Sequence, residues 1–112
     1  VKLIRVIHKR PGLPAEVIVI DDSLEAMRAL LDGGYLCAIR LSEDVHGYVD
    51  DEGLLKELPL NFWLRGEPIV GPAIFSKADA RGDEIGFYNV AEALDVCEQI
   101  NLGQVEAFYG PR

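Results

Sequence analysis

The stretch Ala15–Leu41, "AEVIVIDDSLEAMRALLDGGYLCAIRL", changes its apolar period twice. Its first seven residues hold the continuous β-branched apolar run Val17–Ile20, of the kind that suits a strand buried on both faces. From Asp21 the spacing lengthens. Leu24, Met27, Leu30 and Leu31 recur at i, i+3, i+6 and i+7, which is one face of a helix. Asp22 can accept from the open N–H groups of the first turn, and Glu25 stands three residues on in a capping-box spacing. Gly33-Gly34 supplies a left-handed stop. "YLCAIRL" (Tyr35–Leu41) then returns to a strand.

Working outward, "KLIRVIHK" (Lys2–Lys9) is β-rich, and "RPGLP" makes a stiff turn that pairs it with Ala15–Asp21 as a hairpin. After Ser42-Glu43-Asp44 comes the strand "HGYVD" (His46–Asp50). A turn at Asp51-Glu52-Gly53 follows, then one helical turn, "LLKELP", that Pro59 stops. "PIVGPAIFSKA" (Pro68–Ala78) reads as a strand, bulged or at an edge because Pro72 cannot join a ladder. "ARGD" is a turn and "EIGFY" (Glu84–Tyr88) a short strand that pairs back. "NVAEALDVCEQIN" (Asn89–Asn101) is a second helix, capped by Asn89 with Glu92 three residues on, and with Val90, Ala93, Leu94, Cys97 and Ile100 on one face. The order β-β-α-β-β-(turn)-β-β-α predicts an α+β fold: a mixed, mostly antiparallel sheet of about six short strands with two packed helices. The 112 residues are expected to form one domain, with a body over 1–101. In the tail 102–112, Phe108 and Tyr109 are apolar enough to pack back on that body or to meet a second copy in a homodimer.

Composition narrows the function. Apolar residues make up 49% and the charged fraction is ordinary, as in a folded globular chain. The net charge of −8 argues against direct nucleic-acid binding, which needs a basic face. It favours a protein partner with a basic surface. The acids cluster at Asp21-Asp22-Glu25, Glu43-Asp44, Asp50-Asp51-Glu52 and Asp83-Glu84, where solvated turns explain them. Cys37 and Cys97 lie in apolar patterns, as buried thiols do. No leader is evident and no apolar run reaches the ~20 residues that span a membrane, so a cytoplasmic protein with no membrane contact is expected.

Chemistry-bearing motifs are sparse. His8 and His46 are the only histidines and no HxH, HxxxH or CxxC spacing occurs, so neither a metal nor any other cofactor is expected. No serine stands in a GxSxG elbow, and GxxxxGK[ST] and GxGxxG are absent. Arg81-Gly82-Asp83 reads as a hairpin turn. One cluster stands out: Asn61, Phe62, Trp63 and Arg65, at a corner between Pro59 and Gly71. Aromatics beside Arg suit an interface hot spot. As a pocket, Asn61, Trp63 and Arg65 would instead read an amide or base edge, stack, and pair with carboxylate or phosphate. The plainer reading has both aromatics in the core and the Asn61 amide bonded to main chain at the chain reversal.

The order of several short patterns resembles the DUF3846 family, small proteins of bacteria, phages and mobile elements. The matching positions are Ile20, Asp21, Leu24, Gly34, Glu52, Gly53, Leu58, Pro59, Asn61, Ile69, Val70 and Gly71. The likeness extends from Val1 to Asn101. Where the family tends to carry a basic residue after the Asn, this chain has Phe62. The resemblance implies the fold and a phage- or plasmid-like context. It implies no reaction.

Overall fold

A computed structural model describes residues 2–103 apart from 43, 80 and 82. The expectations for the tail therefore lie outside the described residues. The elements are β1 (Leu3–Lys9), β2 (Glu16–Asp21), α1 (Leu24–Leu30), β3 (Leu36–Arg40), β4 (Val45–Asp50), β5 (Leu60–Leu64), β6 (Glu67–Val70), β7 (Ala73–Lys77) and α2 (Val90–Asn101). Five strands form one antiparallel sheet in the order β2-β1-β7-β4-β3, and β5 and β6 form a separate hairpin. The α+β class is as read from the sequence, with seven strands in place of six.

Three differences account for the strand count. "LNFWL" is a strand, β5, where a corner was expected. "PIVGPAIFSKA" is two strands: Gly71, at φ 76°, and Pro72 carry the chain from the hairpin into the main sheet. Pro72 thus interrupts the ladder more completely than a bulge would. "EIGFY" is not a strand and contributes one bridge, Glu84 to Ala78. Instead, Ile85 N–H bonds to Lys77 O and Phe87 N–H to Arg5 O, so this segment fills the gap where β1 and β7 part. Gly86 is needed there: its φ is 68°, and a Cβ would sit 2.8 Å from Arg5 O.

The run Glu16–Asp21 is an edge strand, not one buried on both faces. Its apolar character is used on both sides, because Val17 meets the α2 cluster and Ile18 and Ile20 meet the α1 cluster, but Val19 is exposed. On one face of the sheet Met27 and Leu31 pack on Ile4, Val6 and Ile74. On the other, Ala93, Val96, Cys97 and Ile100 of α2 and Leu64, Ile69 and Phe62 of the hairpin pack around Ile7, Phe75 and Val49.

The helix ends also differ from the reading. Ser23, not Asp22, caps α1, its Oγ accepting from Ala26 N–H at 3.1 Å. The left-handed stop of α1 holds Gly33 (φ 86°) as read, but it begins one residue earlier, at Asp32 (φ 55°). Asp32 N–H bonds to Ala29 O and Gly33 N–H to Arg28 O, the paired bonds of a Schellman motif. The turn over 53–58 ends the same way at Glu57 (φ 55°), before Pro59 acts. Asn89 caps α2 as read, accepting from Ala91 and Glu92 N–H. The buried face of α2 includes Val96, while Val90 and Leu94 face solvent, as does Leu24 on α1.

Candidate functional site

The four singled-out residues lie on the β5–β6 hairpin, but they do not converge. Leu60 pairs with Val70 and Phe62 with Ile69, so Asn61 is the extra residue of a β-bulge. The bulge aims its side chain inward. Asn61 Nδ2 donates to Lys9 O and to Gly71 O, both at 2.9 Å. Both donors of the amide are spent on main chain at the point where hairpin and sheet join. Phe62 turns inward onto Phe75, ring centroids 5.8 Å apart. Arg65 and Gly66 form the hairpin's two-residue loop, at φ 52° and 77°, the paired left-handed residues of a type I′ turn. The Arg65 guanidinium donates to Arg40 O at 3.4 Å and lines a shallow groove with Ile39, Arg40 and Ile69. Neither Asn61 nor Trp63 lines that groove.

Trp63 points the other way. It is 58% exposed and sits directly across from Pro68 on the outer face of the hairpin. Pro68, Ile69 and Val70 form one wall of a groove of about 380 Å³ whose other wall is the 51–55 turn. Gly53 allows the walls to meet, since a Cβ there would reach Val70 Cγ2 at 2.9 Å. Leu54 and Leu55 line the groove and are 69% and 83% exposed. Leu60, on the same hairpin, is 47% exposed. Three large apolar side chains on this hairpin and turn are thus left mostly in water, and Leu60 about half so.

The turn that presents the leucines is built deliberately. Asp50, expected to be a solvated turn residue, is buried. Its carboxylate takes Lys56 Nζ at 2.7 Å and Glu52 N–H at 2.9 Å. Burial would raise its pKa, but the Lys56 and Glu52 hydrogen bonds outweigh it and hold the carboxyl below its ordinary value. Gly34 gives it room, as a Cβ there would lie 2.5 Å from Asp50 Oδ2.

A polar cluster escaped the sequence reading. His46 Nε2 lies 2.8 Å from Glu84 Oε2, and Tyr48 Oη donates to the same oxygen at 3.3 Å. Burial would raise the Glu84 pKa, yet His46, with smaller help from Tyr48, holds the carboxyl below its usual value. Burial and the Glu84 charge push the Tyr48 hydroxyl up to about 12. The cluster's groups are spent on one another, and the nearby Ser76 Oγ is fully enclosed. The arrangement fastens the 84–88 segment to β4. The available signal was His46 and Tyr48 at i, i+2, which places them on one strand face; nothing local pointed to Glu84. Among the described residues no three His, Cys, Asp or Glu side chains group as metal ligands would, and no helix is long and apolar enough to cross a membrane.

A family model covers residues 4–96, from the first buried position of β1 into the buried face of α2. The chain belongs to the DUF3846 family, whose description is a domain of unknown function. No curated protein and no solved structure gives a significant match. Within this DUF3846 domain the matched region contains both the Asn61 bulge and the exposed groove.

Proposed function

We propose that this DUF3846 chain is a small non-enzymatic accessory protein, of phage or mobile-element type, that works by docking a protein partner on the outer face of the β5–β6 hairpin and the adjoining 53–55 turn. One observation carries the reading: Leu54 and Leu55 line a groove with Pro68, Trp63 stands across the β5–β6 ladder from Pro68, and Leu54, Leu55 and Trp63 are all largely exposed. Leaving such side chains in contiguous contact with water is unfavourable unless something covers them. Trp is among the residues enriched in binding hot spots. The small-ligand reading loses its main element, because both Asn61 donors are used by Lys9 and Gly71.

The test is affinity capture from host lysate with the wild type, with Leu55→Ser, with Trp63→Ser, and with Leu94→Asn as a control at an exposed apolar site on α2. A partner retained by wild type and L94N and lost by L55S and W63S is expected. Equal capture by all four, or by none, refutes the proposal.

A further inference from the structure

The groove beside β6 has apolar walls and an acidic edge. Gly53, Leu54, Leu55, Pro68, Ile69 and Val70 make the apolar part of its walls. Asp51 lines its edge, and Glu52 and Glu57 stand exposed on the same 51–58 turn. Lys56 is the one cation between Asp51 and Leu64, and it is committed to Asp50 at 2.7 Å. These three carboxylates have no ion pair among the described residues. Their charge is therefore presented outward, around a surface that is otherwise apolar.

We infer that the partner segment taken by this groove is amphipathic and basic, an apolar stripe flanked by Lys or Arg. The inference rests on the docking reading above and names the chemistry of its occupant. Apolar side chains of the segment cover Leu54, Leu55 and Pro68, and its cations meet the acidic edge. Charge of this kind contributes orientation, association rate and discrimination against wrong partners more than raw affinity. The same edge argues against a second copy of this acidic chain, because like charges would face each other across the contact. It equally disfavours an anionic membrane surface or nucleic acid.

Trp63, the only tryptophan, sits across from Pro68 and reports on the groove by its fluorescence. The purified chain is titrated with Leu/Lys peptides of helical and of strand pattern, and with the same peptides carrying Glu for Lys. At least one Lys peptide is expected to shift and saturate the emission, roughly ten-fold or more tighter than its Glu counterpart. That preference should shrink when salt is raised well above 0.1 M, where the screening length falls below about 10 Å. The triple change Asp51→Asn, Glu52→Gln, Glu57→Gln should reduce it to about two-fold, with near-ultraviolet circular dichroism confirming the fold. Equal binding of Lys and Glu peptides, or a salt-independent response, overturns the inference. So does silence with every peptide. If the silent protein still captures a partner in a Trp63-dependent way, the docking reading stands and only the basic-partner chemistry fails.

Discussion

Replacing Asn61 by Ala tests how the hairpin is joined to the sheet. The side chain makes two hydrogen bonds of 2.9 Å, to Lys9 O at the end of β1 and to Gly71 O at the crossing into β7. A neutral hydrogen bond contributes about 1 kcal/mol net, and more when the abandoned acceptor stays dry. Losing both should cost about 2–3 kcal/mol. In a domain of about a hundred residues that lowers Tm by roughly 10 °C or more. Asn61→Asp should cost more than Asn61→Ala, because it sets a carboxylate oxygen against two carbonyl oxygens. Urea unfolding followed by Trp63 fluorescence and far-ultraviolet circular dichroism measures both. If Asn61→Ala shifts stability by less than about 0.5 kcal/mol, a value typical of surface changes, the amide does not hold this corner and the reasoning fails.

Two further predictions concern the α1 cap and the polar cluster. Ser23→Ala should lose about 1 kcal/mol, whereas Asp22→Ala, which gives up only an ion pair to a largely exposed Lys2, should cost less, about 0.5 kcal/mol; the reverse order in a denaturation series would return the cap to Asp22. Stability should also fall at both ends of the pH range. The His8 pKa is lowered from 6.5, chiefly by burial, so the fold prefers the neutral ring and its contribution is lost as pH falls below 6.5. Glu84, held below 4.5, adds a second loss further down. Tyr48, raised from 10.0 to about 12, contributes fully below pH 10 and ceases to contribute as pH rises toward 12. Tyr48→Phe should flatten that alkaline arm, and superimposable wild-type and Y48F profiles over that interval would contradict the assignment.

The fold was legible where one signal dominated. The period change at Asp21, the Asn89 cap and the hairpin around Pro11 and Gly12 needed only local spacing. The errors arose where tertiary context overrode a local cue. Ser23 displaced Asp22 as cap because Asp22 N–H is already engaged by Lys2 O, in register with β1. Asp32 and Glu57 took left-handed conformations usually left to glycine, each closing a Schellman pair. β5 was hidden because its bulge at Asn61 breaks the period-2 alternation that identifies a strand. Of the candidate site, Trp63 was visible as the only tryptophan, between Phe62 and Arg65. Its cross-strand partner Pro68, and the exposed Leu54 and Leu55 that share a groove with Pro68, come from a separate strand and turn. The Glu84 cluster joins residues 36 and 38 positions apart, a separation no local pattern reports.

The central claim is that the hairpin face is the docking surface. A photo-crosslinking residue placed at Leu55, with the same residue at Leu94 as reference, tests it most directly in cells where the chain is expressed. The account predicts a discrete crosslinked partner from position 55, absent from position 94 and abolished by Trp63→Ser in a chain that remains folded. A partner captured from position 94 alone, or one from position 55 that survives Trp63→Ser unchanged, would contradict it.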